Sequence, residues 1–324
     1  MVKLKEIQNI ISDELAELNK IIVNSLDSSS PLMKEVVKMY LATKGKQIRP
    51  ILVMLSAKTF GEISPKVINA AAAIEMLHNA SLIHDDVVDD SEKRRGLPTI
   101  NNVWDNHIAV LVGDFFVSNA LQCGINTGEI KIIQSISDLG KELAMGEIDQ
   151  ISNARSHLID EDIYFDIIKH KTASLFRSCV EVGGFAVNAP QNQIEKLKEY
   201  AELLGLCFQI KDDIFDYYDD KVVGKPTGND LREGKITLPL IFSLSKKDAP
   251  LHKEMLALSK KELLNSQEID ALIEFTKKEG GIDYAYNTME SIRNRANNIL
   301  REFPESEATK AFRLIFDYII ERSN

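Results

Sequence analysis

Two stretches of this chain place aspartates where a helix should end. Residues 81–90, SLIHDDVVDD, carry Asp85, Asp86, Asp89 and Asp90, and FQIKDDIFDYYDD carries Asp212, Asp213 and Asp216. In both, the D-D-x-x-D spacing sets the first and last carboxylates one turn apart on one helix face. Both stretches finish long apolar runs, so the acids repel one another at the negative end of a helix dipole. Stability alone disfavours that arrangement unless cations sit there, and its repetition argues against two merely solvated helix ends. Oxygen-only donors, with no His or Cys at a metal spacing, point to Mg2+ or a similar hard cation. Mg2+ keeps waters and shares its shell with substrate phosphates, so the pair predicts a diphosphate clamped between two carboxylate walls. His84 adjoins the first cluster and reads as a packed or supporting residue.

Basic side chains accompany the acids. Lys46 and Arg49 lie in GKQIRP, Arg94 and Arg95 follow the first cluster, Lys171 sits in HKT, and Lys225 and Lys235 follow the second. In a chain of net charge -10, cations grouped beside aspartates look like a phosphate-binding counterpart. The acidic total argues against nucleic acid as a partner, which would require phosphate neutralisation. Neither GKQIRP nor GKPTGN is a Walker loop, since no strand precedes either and the spacing differs.

The elements that must carry these residues read as helices throughout. A helical stripe runs from about Lys3 to Leu26, a second helix extends to about Thr43, and Pro50 opens a third through Phe60. Ser64 and Pro65 suit the cap and first position of a long helix ending at the first aspartates. Its apolar circumference makes it central. After the basic loop SEKRRGLPT, helical patterns follow at about Asn101–Cys123, Glu129–Ser152, Glu161–Val187 and Gln191–Tyr218. Shorter segments close the chain after the loop KVVGKPTGNDLREGK. No period-2 strand or hairpin signal, repeat or composition break is evident. One all-α domain over residues 1–324 is expected. Cys123, Cys179 and Cys207 are widely spaced among apolar residues, as buried thiols of a reducing cytoplasm would be. The amphipathic N-terminus is unlike a signal peptide, and no uncharged apolar stretch approaches the ~20 residues of a membrane span. A soluble, cytoplasmic protein is expected.

From GKQIRP through EMLHNASLIHDDVVDDSEKRRG, HKT, FQIKDDIFD and GKPTGNDLREGKITLPL, the chain resembles the trans-isoprenyl diphosphate (polyprenyl) synthases. The resemblance implies an isoprenoid synthase fold, a bundle of long helices around a central cavity. It implies that Asp85, Asp86 and Asp89, with Asp212, Asp213 and Asp216, hold Mg2+ ions bridging to an allylic diphosphate, with Asp85, Asp89, Asp212 and Asp216 as the metal ligands. Lys46, Arg49, His78 and Arg95 match isopentenyl diphosphate positions. Arg94, Lys171, Thr172, Gln209, Lys225 and Lys235 match allylic-substrate positions, with Lys171 and Gln209 also counted as catalytic. In this chemistry the allylic diphosphate ionises as cations stabilise its leaving group, and the isopentenyl double bond attacks the carbocation. The released diphosphate is the implied acceptor of the proton, and Gln209 and Thr172 can place oxygen dipoles near the cation.

Product length should follow the depth of an apolar tunnel. Ser81 lies one turn before Asp85, about 6 Å deeper along the helix. Ala80 is farther around the wheel, and its relevance rests on the resemblance, in which a bulky aromatic just before the first motif blocks growth. Both are small, which predicts a product longer than farnesyl or geranylgeranyl, like those of the hexa- to decaprenyl synthases that make quinone side chains. Phe115 and Phe116 are candidates for the tunnel floor or for ordinary core. A terpene cyclase usually pairs one such motif with a different second one, and a regulatory subunit would lack some of the carboxylates or Lys46 and Arg49. Neither pattern holds here. The resemblance also implies a homodimer, for which the apolar face of the Asn101–Cys123 segment is the candidate, and transient membrane contact to release a long lipid.

Overall fold

The computed structural model describes residues 2–42, 45–156, 158–218 and 227–322. Helices account for 78% of it with almost no strand, and the all-α expectation holds. The chain divides into two compact units, one of Met1–Lys141, Leu175–Ala201 and Ile299–Ile315, the other of Glu142–Ser174, Glu202–Asn298 and Phe316–Asn324.

In the first unit the Pro65–Val88 helix is central, opening at Pro65 as the sequence signals. Ala70 to Ala73 are fully buried, and the helix packs most extensively on Asn106–Asn126, with Ile48–Phe60 and Ser12–Ser25 also against it. Small residues permit two of the closest approaches. A Cβ on Gly113 would lie 2.2 Å from His84 Nε2, and one on Gly183 would lie 2.3 Å from the carbonyl oxygen of Val53. The long helix stops in a Schellman motif. Asp90 takes a left-handed conformation (φ 48°), Ser91 N donates to Asp86 O at 2.9 Å, and Asp90 N donates to Val87 O at 3.4 Å. Asp90 is therefore the residue that turns the chain out of the helix.

Several expected elements differ in detail. The N-terminal stripe is two helices, Val2–Asn9 and Ser12–Ser25. The basic loop contains a two-residue antiparallel ladder, with Lys93 opposite Pro98 and Arg94 opposite Leu97. Arg95 and Gly96, at φ 53° and 78°, form its turn as a type I′ pair does. The segment expected as Asn101–Cys123 is divided: Ile100–Val103 ends at Trp104, and Asp105 Oδ1 caps a new helix, Asn106–Asn126, by accepting from Ile108 N at 2.8 Å. That helix is long and apolar enough, by length and composition, to cross a membrane, though it is not an uncharged stretch of the kind whose absence was expected. Its apolar content serves two sides. Ala109, Val112, Phe116 and Ala120 are buried, while Val110, Leu111, Leu121 and Ile125 are exposed, and Asp114 interrupts the run. Phe116 is wholly buried and meets the Tyr40 ring edge-on at 5.2 Å.

In the second unit the Glu202–Phe215 portion of the Gln191–Phe215 helix carries the second aspartates. The segment expected as one helix over Glu161–Val187 is Glu161–Ile168, a π turn over Lys169–Ala173, and then Ser174–Ala186. Around it lie Leu238–Ser245, Ser266–Lys278 with an Asn265–Glu268 capping box, and Gly281–Leu300. A Cβ on Gly281 would lie 2.2 Å from Pro239 O, so this crossing also needs glycine.

Candidate active site

The first aspartates occupy the last turns of the Pro65–Val88 helix and its cap. They are not equivalent. Asp86 is buried, and its Oδ1 accepts from Arg94 Nε at 2.8 Å and Nη2 at 2.7 Å. Asp85 is half-buried and Asp89, the cap residue, is exposed. That division leaves Asp85 and Asp89, one turn apart, as the pair that can reach a cation from solvent.

A cationic cluster sits in the same unit. His78 is buried, about two turns before Asp85. Burial, and then the charges of Arg49, Arg95 and Arg94, hold its imidazole well below the usual histidine range. It is neutral at pH 7 and can donate one N–H to an anion without adding charge. Gly45 lets the Arg95 guanidinium lie against the backbone, since a Cβ there would be 2.8 Å from Arg95 Nη1. The structure thus brings Arg49, His78, Arg94 and Arg95 together, and Lys46 lies exposed just before the Ile48–Phe60 helix. Arg94, expected with the allylic positions, lies beside these residues. Sequence reasoning missed Glu75, whose carboxyl is pushed up by burial and only partly restrained by Arg49 and Arg95. Its placement three residues before His78 on the same helix was the available signal.

The second unit holds a cavity lined by Gln150, Tyr164, Lys171, Thr172, Gln209 and Asp213, with Asp230 and Lys235 at its side. Four allylic-set residues, Lys171, Thr172, Gln209 and Lys235, are therefore gathered there, while Lys225 lies outside the described residues. Lys171 Nζ is paired with Glu147 and donates to Gln150 Oε1 at 3.2 Å. The π turn is what presents it: one extra residue widens the helix and turns Lys171 and Thr172 to the cavity. Glu147 and Gln150 were not legible in the sequence beyond being polar residues three apart.

The second aspartates divide their tasks too. Asp212 is paired with Arg322, whose guanidinium also donates to Phe208 O at 3.0 Å and lies over the Phe208 ring at 4.2 Å. Asp216 accepts from Asn229 N at 2.9 Å and Asp230 N at 3.1 Å. Asp213 is buried, and burial raises its carboxyl to about 7 despite hydrogen bonds from Tyr164 and Gln209. Burial also raises Asp216 and Asp230, and the three carboxyls repel one another. Such a group gains from any cation that neutralises it. Among the described residues, no three His, Cys, Asp or Glu side chains form a ready-made metal cage. Pairs of carboxylates that leave most of the coordination shell to water and phosphate are what Mg2+ accepts, so the residues present fit that ion.

Gly146, on the Ile130–Ser156 helix, fixes how closely the π turn can approach. A Cβ there would lie 2.7 Å from Lys171 N and 2.9 Å from its Cα. Gly146→Ala gains about 1 kcal/mol of helix propensity but meets backbone, where overpacking costs about 1–3 kcal/mol. The expected result is a net loss of about 1 kcal/mol in thermal unfolding. A gain of the size of helix propensity alone would show that the approach relaxes freely.

With this geometry in view, a sequence profile described as polyprenyl synthetase matches residues 30–276. The chain is 32% identical over 315 residues to an octaprenyl diphosphate synthase of Haemophilus influenzae, covering 96% of this chain and 94% of that protein. The structure of a decaprenyl diphosphate synthase from Rhodobacter capsulatus superposes with a TM-score of 0.92 at 31% identity, covering 98% of both chains. A geranylgeranyl pyrophosphate synthase from Bacteroides thetaiotaomicron gives a TM-score of 0.86 at 36% identity, covering 99% of this chain and 100% of that one.

Proposed function

Because this chain belongs to the polyprenyl synthetase family, we propose that it elongates an allylic diphosphate by successive head-to-tail condensations with isopentenyl diphosphate. Diphosphate leaves at each step, and the product is a long-chain all-trans polyprenyl diphosphate, a precursor of quinone side chains. The observation that carries this reading is that each D-D-x-x-D motif lies in the same unit as its own set of anion-binding groups. Arg49, His78, Arg94 and Arg95 accompany the first motif, and Lys171, Thr172, Gln209 and Lys235 the second. The family match runs through both units, which supports reading residues 1–324 as one functional domain.

Asp85, Asp89, Asp212 and Asp216 would hold Mg2+, which when bound neutralises the charge that builds on the leaving diphosphate. The chain's own groups do the rest. Asp86 holds Arg94 in place beside Arg95 and neutral His78; Lys46, Arg49, His78 and Arg95 bind the isopentenyl diphosphate, and Arg94 is assigned to the allylic diphosphate on the family resemblance. Lys171 and Lys235 bind the allylic diphosphate, and Lys225 is assigned there on the family resemblance. Thr172 and Gln209 face the same cavity with oxygens that favour positive charge. No side chain is needed as a base if the departing diphosphate takes the proton.

Ala80 is wholly buried, and Ser81 is half-buried with its hydroxyl donating to its own helix at His78 O, 2.9 Å away. Neither presents bulk below the first aspartates, which supports the long product. The exposed Val110, Leu111, Leu121 and Ile125 supply an apolar face for a homodimer. A cytoplasmic enzyme with transient membrane contact on product release, and no nucleic acid partner, completes the reading. Incubation with Mg2+, labelled isopentenyl diphosphate and farnesyl diphosphate, followed by product sizing, should give chains longer than geranylgeranyl. Absence of any elongated product would refute the synthase reading. A farnesyl or geranylgeranyl product would refute its length alone and place the chain with the short-chain relative.

A further inference from the structure

One polar contact in the second unit's cavity has no part in the scheme above. Tyr164, on the Glu161–Ile168 helix, is 6% exposed, and its hydroxyl donates to Asp213 Oδ2 at 2.5 Å. The other oxygen, Asp213 Oδ1, accepts from Gln209 Nε2 at 2.8 Å, and Gln209 Oε1 accepts from Thr172 Oγ1 at 2.7 Å. All four side chains line the cavity.

The direction of every hydrogen in this chain follows from one end. The Tyr164 phenol and the Gln209 amide NH2 both donate to Asp213, one to each oxygen. Gln209 therefore turns its NH2 to Asp213 and its carbonyl to Thr172. That commits the threonine hydrogen to Gln209 and leaves Thr172 Oγ1 with only lone pairs for whatever lies in the cavity. Lone pairs are the end of a hydroxyl that favours a carbocation, while a hydrogen would oppose it. Tyr164 closes the network, because without its O–H one oxygen of Asp213 is buried without this donor and the carboxylate is free to rotate about its remaining bond.

We propose that Tyr164 is a positioning residue of the elongation reaction, acting through Asp213 and Gln209 to hold the Thr172 oxygen toward the developing allylic cation. The same contacts keep both Asp213 oxygens engaged, so Asp213 orients its neighbours. The inference rests on the proposed synthase activity.

The test uses the full-length protein and two probes. One is a farnesyl thiodiphosphate, which binds as the ground state and ionises poorly. The other is an ammonium analogue of the allylic cation, supplied with diphosphate. Tyr164→Phe removes only the oxygen. It should lower kcat and the affinity for the ammonium analogue by about tenfold, with thiodiphosphate affinity and the KM for isopentenyl diphosphate unchanged. In a Thr172→Val background the same substitution should add little, since the oxygen being aimed is gone. Asp213→Asn supplies an independent case: its NH2 facing Gln209 would reverse the amide, and it should show the same selective loss.

Equal weakening of both probes by both variants would make the contact merely structural and overturn the proposal. So would unchanged kcat in Tyr164→Phe, or full additivity with Thr172→Val. Failure of the wild-type protein to elongate any allylic diphosphate would remove the underlying reading, and the inference with it. That outcome is visible before any variant is made.

Discussion

Asp85→Ala should abolish elongation while the protein stays folded. The expected loss is at least about 10^3-fold in kcat, the scale of several kcal/mol of charge stabilisation withdrawn from the leaving group. Asp85 shares the last turns of its helix with Asp86 and Asp89, where the backbone dipole is itself negative. Relieving that repulsion is worth about 0.3–1 kcal/mol, so the melting temperature should hold or rise slightly. Asp86→Ala is the contrast. It strips a buried partner from Arg94, which then stands near Arg49 and Arg95 without its two bonds, so this variant should lose both activity and stability. Activity assays and thermal unfolding of the two variants read the difference directly. Unfolding of Asp85→Ala, or full activity in it, would refute the metal-ligand assignment.

The second large effect is a dependence of stability on pH that a divalent cation reverses. Burial raises the Asp213 carboxyl to about 7, whereas an aspartate in the unfolded chain ionises near 3.9. For an acid raised on folding, the folded state holds its proton where the unfolded state has lost it. The contribution is therefore fully present below about pH 4, declines as pH rises toward 7, and is gone above it. Asp216 and Asp230 are raised as well and act in the same direction. In buffer with chelator, the melting temperature of wild type relative to Asp213→Asn should fall between pH 4 and 7. Mg2+ should recover the loss above pH 7, where the carboxylates are charged and a cation offsets them. A difference between the two proteins that does not change with pH would contradict the burial of Asp213 as the cause.

How far the sequence carried can be judged residue by residue. The aspartates were legible because charge on an apolar helix end is an anomaly that spacing alone exposes. The Ser64–Pro65 start was legible because capping chemistry is local. The π turn at Lys169–Ala173 was not, since one inserted residue barely disturbs the apolar periodicity, and the helix packed against it at Gly146 is distant in sequence. Arg322 pairs with Asp212 from 110 residues away and offered no pattern to read. The hairpin at Lys93–Pro98 was missed because two residues per strand are too few to show alternation, and Arg95 is an unusual occupant of a left-handed turn. Tyr164 carried no signal in the sequence, because what distinguishes it is the direction of one hydrogen.

The Schellman turn at Asp90 bears on how tightly the first motif can hold a cation. The last turn of a helix ordinarily frays, and any side chains on it must be ordered afresh by whatever they bind. Here the two backbone bonds that close over Asp86 and Val87 stop that fraying during folding. The entropy of arranging Asp85 and Asp89 is thus already lost before a ligand arrives, and binding need not supply it. On the proposed assignment of Asp85 and Asp89 to Mg2+, Asp90 supports affinity as a constraint on the chain.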